Sequence, residues 1–254
     1  MQVAVVTGAS SGIGAALARE LAARDWLCVL LARREERLRT LAEEVSGDYE
    51  VCDVSDRAAV EAAAERVLER HPQVKLLVNN AGVPARADFL DGDPARIEQV
   101  VRTNYLGGVW CLRAFLPALE AARPSDVVNV VSVAGTVAFP PSGPYSASKH
   151  AQLAFSRTTS ASLRGRGISV HTVNPGFVET EGFPQRAVLR SPLFRRGVLD
   201  PEDVARHIAG RIGEGPGETT IPRLYRVPGV LQALAPNLVA RLVGRRATMY
   251  RSKR

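Results

Sequence analysis

Residues 142–149 read Ser-Gly-Pro-Tyr-Ser-Ala-Ser-Lys, so that Tyr145 and Lys149 stand four apart. On a helix that spacing puts both side chains on one face, one turn apart. Gly143 and Pro144 suit the helix entrance, because proline lacks the N–H that an opening turn leaves unpaired. A tyrosine with a lysine held beside it is a candidate general acid/base. A free phenol titrates near ~10, and a fixed cation nearby favours phenolate and lowers that value. Taken alone, the pair fits an ordinary surface helix equally well.

A second candidate group lies at the N-terminus. The apolar run Val3–Val6 feeds into Thr7-Gly8-Ala9-Ser10-Ser11-Gly12-Ile13-Gly14, and an Ala/Leu-rich helical stretch follows over Ala15–Arg24. Strand, glycine-rich turn and helix in that order let backbone N–H groups approach a phosphate, with the positive end of the helix dipole behind them. No Gly-Lys-Ser/Thr closes the turn, which excludes a P-loop. The next apolar run, Trp26–Ala32, ends in Arg33 and Arg34, where dinucleotide folds that take NAD carry a carboxylate for the ribose. A guanidinium there suits a 2′-phosphate, so the position favours NADP(H).

These residues need a frame. Further short apolar runs occur at Tyr49–Val54, Lys75–Val78, Val127–Val131, Ile168–Val173 and Thr219–Ile221. Helical stretches separate them: Glu35–Val45, Asp56–Glu69, Arg96–Ala122 with Asn104 inside it, Pro144–Arg164, and Pro201–Ile212 with Asp200 as its N-cap. Strands alternating with helices predict a doubly wound parallel sheet, because parallel strands need crossovers. Ser132 falls at the C-terminal end of the fifth strand, the side on which such sheets bind ligands. Thr180–Gly197 reads as irregular.

The 254 residues are enough for one large α/β domain, and no linker or internal repeat divides them. The net charge of +7 is unevenly placed. Eight basic residues and no carboxylate lie from Arg223 onward, which leaves about −1 for the body. The high pI therefore describes a tail, and a nucleic-acid-binding fold is not expected. Cys28, Cys52 and Cys111 are scattered through apolar runs, as reduced thiols of a cytoplasmic protein would be, and no disulfide framework or metal-ligand cluster is seen. The N-terminus is unlike a signal peptide, and no apolar run reaches the ~20 residues of a membrane span.

Together these stretches resemble the short-chain dehydrogenase/reductase family over roughly residues 1–222. The matching motifs are Thr7–Gly14, Asp53-Val54, Asn79-Asn80-Ala81-Gly82, Asn104, Ser132, Tyr145–Lys149 and Pro175-Gly176, all in order, with Ser132 thirteen residues before Tyr145. The resemblance implies a Rossmann-like seven-stranded sheet in the order 3-2-1-4-5-6-7. It implies that Gly8, Gly12 and Gly14, with Ser11 and Ile13 in the same turn, line a pyrophosphate site. Arg33, helped by Ser10 or Arg34, would take the 2′-phosphate of NADP(H). Asp53 and Val54 would meet the adenine, and Asn80, followed by Ala81 and Gly82, the adenosine ribose side. Lys149 would also hold the nicotinamide ribose, with Pro175, Gly176, Val178 and Thr180 near the nicotinamide. Tyr145 would protonate a carbonyl oxygen, Ser132 would orient it, and Asn104 would hold a water relaying protons to Lys149.

The implied function is a hydride-transferring carbonyl reductase or alcohol dehydrogenase acting on a small-molecule substrate. A cofactor-binding regulatory or scaffold protein on the same fold is the alternative. Phe139, Pro140, Val83, Phe183, Leu193 and Phe194 point to an apolar substrate pocket, and the arginines of 186–196 to an acidic one. Relatives are commonly dimers or tetramers, so a homodimer or homotetramer is expected. Residues 223–254 depart from the family pattern. Leu231, Leu234, Leu238 and Leu242 recur at near-helical spacing, Pro236 splits the stretch, and Gly244 ends it. This extension could cover the cleft, pair subunits, or rest peripherally on an anionic membrane.

Overall fold

The computed structural model describes residues 1–85, 89–138, 142–185 and 197–241. Seven strands form one parallel sheet: β1 (Gln2–Thr7), β2 (Trp26–Ala32), β3 (Asp48–Val51), β4 (Leu76–Asn79), β5 (Ser125–Val130), β6 (Ile168–Pro175) and β7 (Gly217–Ile221). Their order is β3-β2-β1-β4-β5-β6-β7, with every neighbouring pair parallel. This is the architecture expected from the alternation of apolar runs and helices.

The helices are α1 (Gly12–Ala22), α2 (Glu35–Val45), α3 (Arg57–Arg70), α4 (Pro94–Val101), α5 (Gly107–Ala121), α6 (Gly143–Leu163), α7 (Pro201–Ala209) and α8 (Arg226–Leu234). Both faces of the sheet are covered, which is why its strands read as continuous apolar runs. Ala4, Val6 and Leu30 pack with Leu17, Leu38 and Val204 on one face. Val5, Val29 and Leu77 pack with Val60 and Phe115 on the other.

Three expectations change in detail. The third strand stops at Val51, so Asp53 and Val54 sit in the loop beyond it, where Asp53 accepts hydrogen bonds from the backbone N–H and hydroxyl of Ser55. The single helix expected over Arg96–Ala122 is broken into α4, a π-helical turn at Arg102–Leu106, and α5. Asp200 occupies the N-cap of α7 without a side-chain capping bond. The three cysteines are free and buried, and burial pushes their thiols up, Cys28 to about 12 and Cys52 to about 11.

Beneath the strand ends a buried polar chain ties the sheet to α6. Asn79 Nδ2 donates to Asn129 Oδ1 (2.9 Å), Asn129 Nδ2 to Ser156 Oγ (2.8 Å), and Ser156 meets Thr172 Oγ1 at 2.7 Å. Of these groups Asn79 Oδ1 alone is buried without a partner; the linked bonds, made where an orphan is costly, fix the register of α6 over β5 and β6.

Candidate active site

The C-terminal ends of the strands open into one cavity of about 680 Å³. That size suits a cofactor or other small ligand. Along its wall lie Gly8, Ser10, Ser11, Gly12, Ile13, Arg33, Arg34, Asp53, Val54, Asn80, Ala81 and Gly82, followed by Ser132, Tyr145, Lys149, Pro175, Gly176, Val178 and Thr180. Two of the residues singled out in the sequence, Gly14 and Asn104, stand behind the wall. A Cβ on Gly14 would come within 2.5 Å of the Gly8 carbonyl oxygen, so its bareness lets α1 close against the turn. Gly8 and Gly12 both take positive φ (66° and 57°), the left-handed region that side chains resist.

The mouth of the turn is built for an anion. Ser11 is the N-cap of α1, yet no side chain caps the helix. Its first-turn N–H groups and dipole therefore face an unneutralised end. Arg34 reaches across from the end of β2 and donates to Ser10 Oγ (3.1 and 2.9 Å) and Ser11 Oγ (2.6 Å). Arg33 turns the other way, 3.6 Å from Asp53. Arg34 bridges to the glycine-rich turn, while Arg33 stands over the Asp53 loop. Burial, and then the charges of Arg37 and Arg33, lower the pKa of Arg34 against the opposing pull of Glu181. The Arg34 guanidinium and two hydroxyls converging here, with Arg33 on the opposite wall, fit the phosphate groups of a dinucleotide.

Asn80, on the cavity wall, also braces the turn. Its Nδ2 donates to the carbonyls of Thr7 (3.0 Å) and Gly8 (3.4 Å). Thr7 Oγ1 in turn accepts from the backbone N–H groups of Asn80 and Ala81 and donates to Val78 O. This residue pair locks the turn after β1 to the end of β4.

Ser132 follows β5 and caps a short 3₁₀ turn, accepting from Ala134 N at 3.1 Å. It shares the cavity wall with Tyr145 and acts to lower the phenol's pKa. Their meeting depends on how closely α6 approaches that turn. A Cβ on Gly135 would lie 2.8 Å from the Lys149 carbonyl oxygen, so a larger residue would push the helix off. Phe183 packs on Tyr145 with ring centroids 5.7 Å apart, and Val83 lines the same end of the cavity. Phe139, Pro140, Leu193, Phe194 and the arginines of 186–196 lie outside the described residues.

Lys149 is buried, with its Nζ 5.8 Å from the Tyr145 ring centroid. The ammonium donates to Val130 O (3.0 Å) and Gln152 Oε1 (2.8 Å). Burial lowers its pKa to about 7. Burial also pushes Tyr145 up to about 12, against the lowering effect of the nearby Ser132 hydroxyl. Burial, not the lysine, dominates the phenol in this arrangement. The reason is geometric: the ammonium is aimed at the β5 carbonyl and Gln152, and desolvation dominates both groups.

Asn104 is buried inside the π turn rather than facing solvent. Its Oδ1 accepts from Val83 N (2.8 Å), and its Nδ2 donates to Val83 O (3.1 Å) and Ser148 Oγ (3.0 Å). Ser148 Oγ donates to Tyr145 O (2.8 Å). Asn104 thus clamps the loop after β4 to the turn of α6 that carries Tyr145 and Lys149. A π turn rotates one residue off the helical face, which is how an asparagine reaches inward at mid-helix.

Gln152 escaped the sequence reading, although it lies three residues after Lys149 on the same helix face. An ammonium hydrogen bond of this kind is worth roughly 1.5–3 kcal/mol, or about 1–2 units in the lysine's midpoint. Gln152→Leu is expected to lower the Lys149 midpoint by about one unit, and Gln152→Glu to raise it. The chain has only three lysines, Lys75, Lys149 and Lys253. Side-chain ¹⁵N signals of a lysine-labelled sample therefore report the titration directly, and an unchanged Lys149 midpoint in Gln152→Leu would remove the role.

A doubly wound parallel sheet with a glycine-rich turn, an uncapped helix start and a Ser/Tyr/Lys group at its strand ends defines a dinucleotide-binding oxidoreductase architecture. The short chain dehydrogenase family model matches residues 2–187. The chain belongs to that family. It is 34% identical to dehydrogenase/reductase SDR family member 7B of Xenopus laevis, over 96% of this chain and 81% of that protein. Among solved structures, a short chain dehydrogenase/reductase from Burkholderia phymatum in complex with NAD superposes with a TM-score of 0.84 at 28% identity, covering 93% and 94% of the two chains. An actinorhodin polyketide ketoreductase with NADPH superposes with a TM-score of 0.78 at 32% identity, covering 87% and 95%.

Proposed function

We propose that this protein is an NADP(H)-dependent oxidoreductase that interconverts a carbonyl and a secondary alcohol, with Tyr145 as general acid/base. The observation that carries the reading is the convergence of Ser132, just beyond β5, with Tyr145 and, one turn along α6, Lys149 on the wall of one cavity. The bound dinucleotide supplies or accepts the hydride. The remaining work falls to the chain. Ser132 orients the substrate oxygen, and Tyr145 delivers a proton to it in reduction or removes one in oxidation. Lys149 holds positive charge beneath the phenol and accepts the ribose. Asn104 positions the loop and helix that carry them. A phenol raised by burial keeps its proton at neutral pH, which suits the acid required for reduction.

Val83, Phe177 and Phe183 around Tyr145 favour an apolar carbonyl compound. Residues 1–222 form the catalytic body and 223–254 an extension of the same domain, in a cytoplasmic homodimer or homotetramer. A scaffold role without turnover is not favoured, since all four candidate catalytic residues are present in the sequence.

The cofactor assignment has its own test. Arg34→Ala is expected to weaken NADPH binding roughly 10–100-fold, the loss of one or two charge-assisted hydrogen bonds, while NADH binding stays nearly unchanged. Arg33→Ala should weaken NADPH less. Titration of tryptophan or nicotinamide fluorescence measures both. Equal losses for the two cofactors, or wild-type preference for NADH, would overturn the 2′-phosphate assignment.

A further inference from the structure

In the described part of the C-terminal extension, most large aliphatic side chains face outward, Val239 being the buried exception. Along the stretch from Leu224 to Leu238, residues 225, 229, 232 and 235 are half-buried. They are Tyr, Gly, Gln and Ala, small or polar apart from the tyrosine. The large aliphatic residues point the other way: Leu224 is 77% exposed, Leu234 79%, Leu238 53%, and Val227, Val230 and Leu231 are each about half exposed. Their spacing of three and four residues makes one continuous stripe on α8 and the helical turn at 236–241 beyond it. Six of the ten large apolar side chains exposed among the described residues lie in this stripe. The inner face is properly seated. A Cβ on Gly229 would lie 2.8 Å from Thr136 Oγ1, and Tyr225 packs edge-on against Phe177 at 5.8 Å. The outward stripe is therefore a built surface, held rigidly on the body.

The charges around it choose among occupants. Arg223, Arg226 and Arg241 flank the stripe, all exposed, and no carboxylate occurs anywhere after Glu218. A two-fold contact would bring this cationic patch against itself, where like charges oppose pairing. The body of a second copy, at about −1 overall, carries almost no net charge to draw the patch to it. An apolar stripe edged only by cations fits an anionic lipid surface, with leucines in the acyl boundary and arginines at the headgroups. No helix among the described residues is long and apolar enough to cross a membrane, so contact of this kind lies flat.

We propose that the outward stripe of α8 and the following turn is a docking surface for anionic membrane. It is anchored through Tyr225 to Phe177, which lines the catalytic cavity, and so couples the cavity to the bilayer that would hold an apolar substrate. The surface itself does not depend on the reaction assigned above.

Co-sedimentation of the full-length protein with phosphatidylcholine vesicles, with and without phosphatidylserine, tests it. The expected result is binding to the serine-containing vesicles that falls with added salt. Binding should drop roughly tenfold or more in the double variant Leu234→Glu/Leu238→Glu, and less in Arg223→Gln/Arg226→Gln. All four positions are exposed, so NADPH affinity and melting temperature should match the wild type, and they report separately on the catalytic reading. No vesicle binding, or binding that the leucine variant leaves intact, overturns the proposal. So does a wild-type oligomer that the leucine variant dissociates in the absence of lipid binding, which assigns the stripe to a second copy.

Discussion

Tyr145→Phe is expected to lower turnover of carbonyl substrates by about 10²–10⁴-fold, the usual contribution of a positioned general acid. Cofactor affinity should stay within a few-fold, because the ring, its contact with Phe183 and the Lys149 ammonium remain. Ser132 keeps its hydrogen bond from Ala134 N, so stability should change by no more than about 1 kcal/mol. The measurement is NADPH oxidation at 340 nm across a panel of apolar ketones and aldehydes, with melting and NADPH binding as controls. Ser132→Ala should fall less, since a second donor orients the oxygen without moving a proton. The double variant should lose little beyond Tyr145→Phe, because the two act on one oxygen as a unit. If Tyr145→Phe retains more than about a tenth of wild-type turnover, the tyrosine is not the acid.

The second large effect runs in opposite directions for activity and stability. Lys149→Met should abolish measurable turnover, yet raise the melting temperature at low pH. The sign follows from the lysine's lowered pKa. Folded, it titrates near about 7; unfolded, near 10.5. Below pH 7 both states carry the proton, and the fold bears the full cost of a buried ammonium. Between about 7 and 10.5 the unfolded chain binds more protons, so the wild type gains stability with rising pH relative to the variant. Above that range the lysine contributes no charge cost. Removing it also leaves Val130 O and Gln152 Oε1 without their donor, which offsets part of the gain by about 1–3 kcal/mol. A net stabilisation of about 2 kcal/mol at pH 6 corresponds to roughly 4–8 °C for a chain of this size. The gap should close, then reverse, by pH 10. Tyr145 and the cysteines titrate in both proteins and cancel in the difference. Paired melting curves from pH 6 to 10 check this, and a gap independent of pH would show that Lys149 is not the group responsible.

Much of this protein is written locally. Apolar runs of four to eight residues separated by helical periods determine a parallel sheet, because only a strand covered on both faces can be apolar throughout. Turn chemistry is local too, so Gly8, Gly12 and the arginines after β2 mark an anion site before any contact is known. Tyr145 and Lys149 share a face because a helix has a fixed pitch. What the sequence could not determine are the partners that side chains find across long separations. Arg34, not Arg33, holds Ser10 and Ser11 because of how β2 ends beside the first turn. Asn104 points inward because a π turn rotates it, a packing decision that no propensity records. Burial raises Tyr145 and lowers Lys149, where spacing alone implied that the lysine would depress the phenol. Spacing gives neighbours, whereas desolvation depends on everything that closes over them. The leucine period after Arg223 was plain as a pattern, yet whether that face met the body or the solvent was a tertiary choice. Gly229 against Thr136 and Tyr225 against Phe177 seat that side inward, which leaves Leu224, Leu231, Leu234 and Leu238 outside.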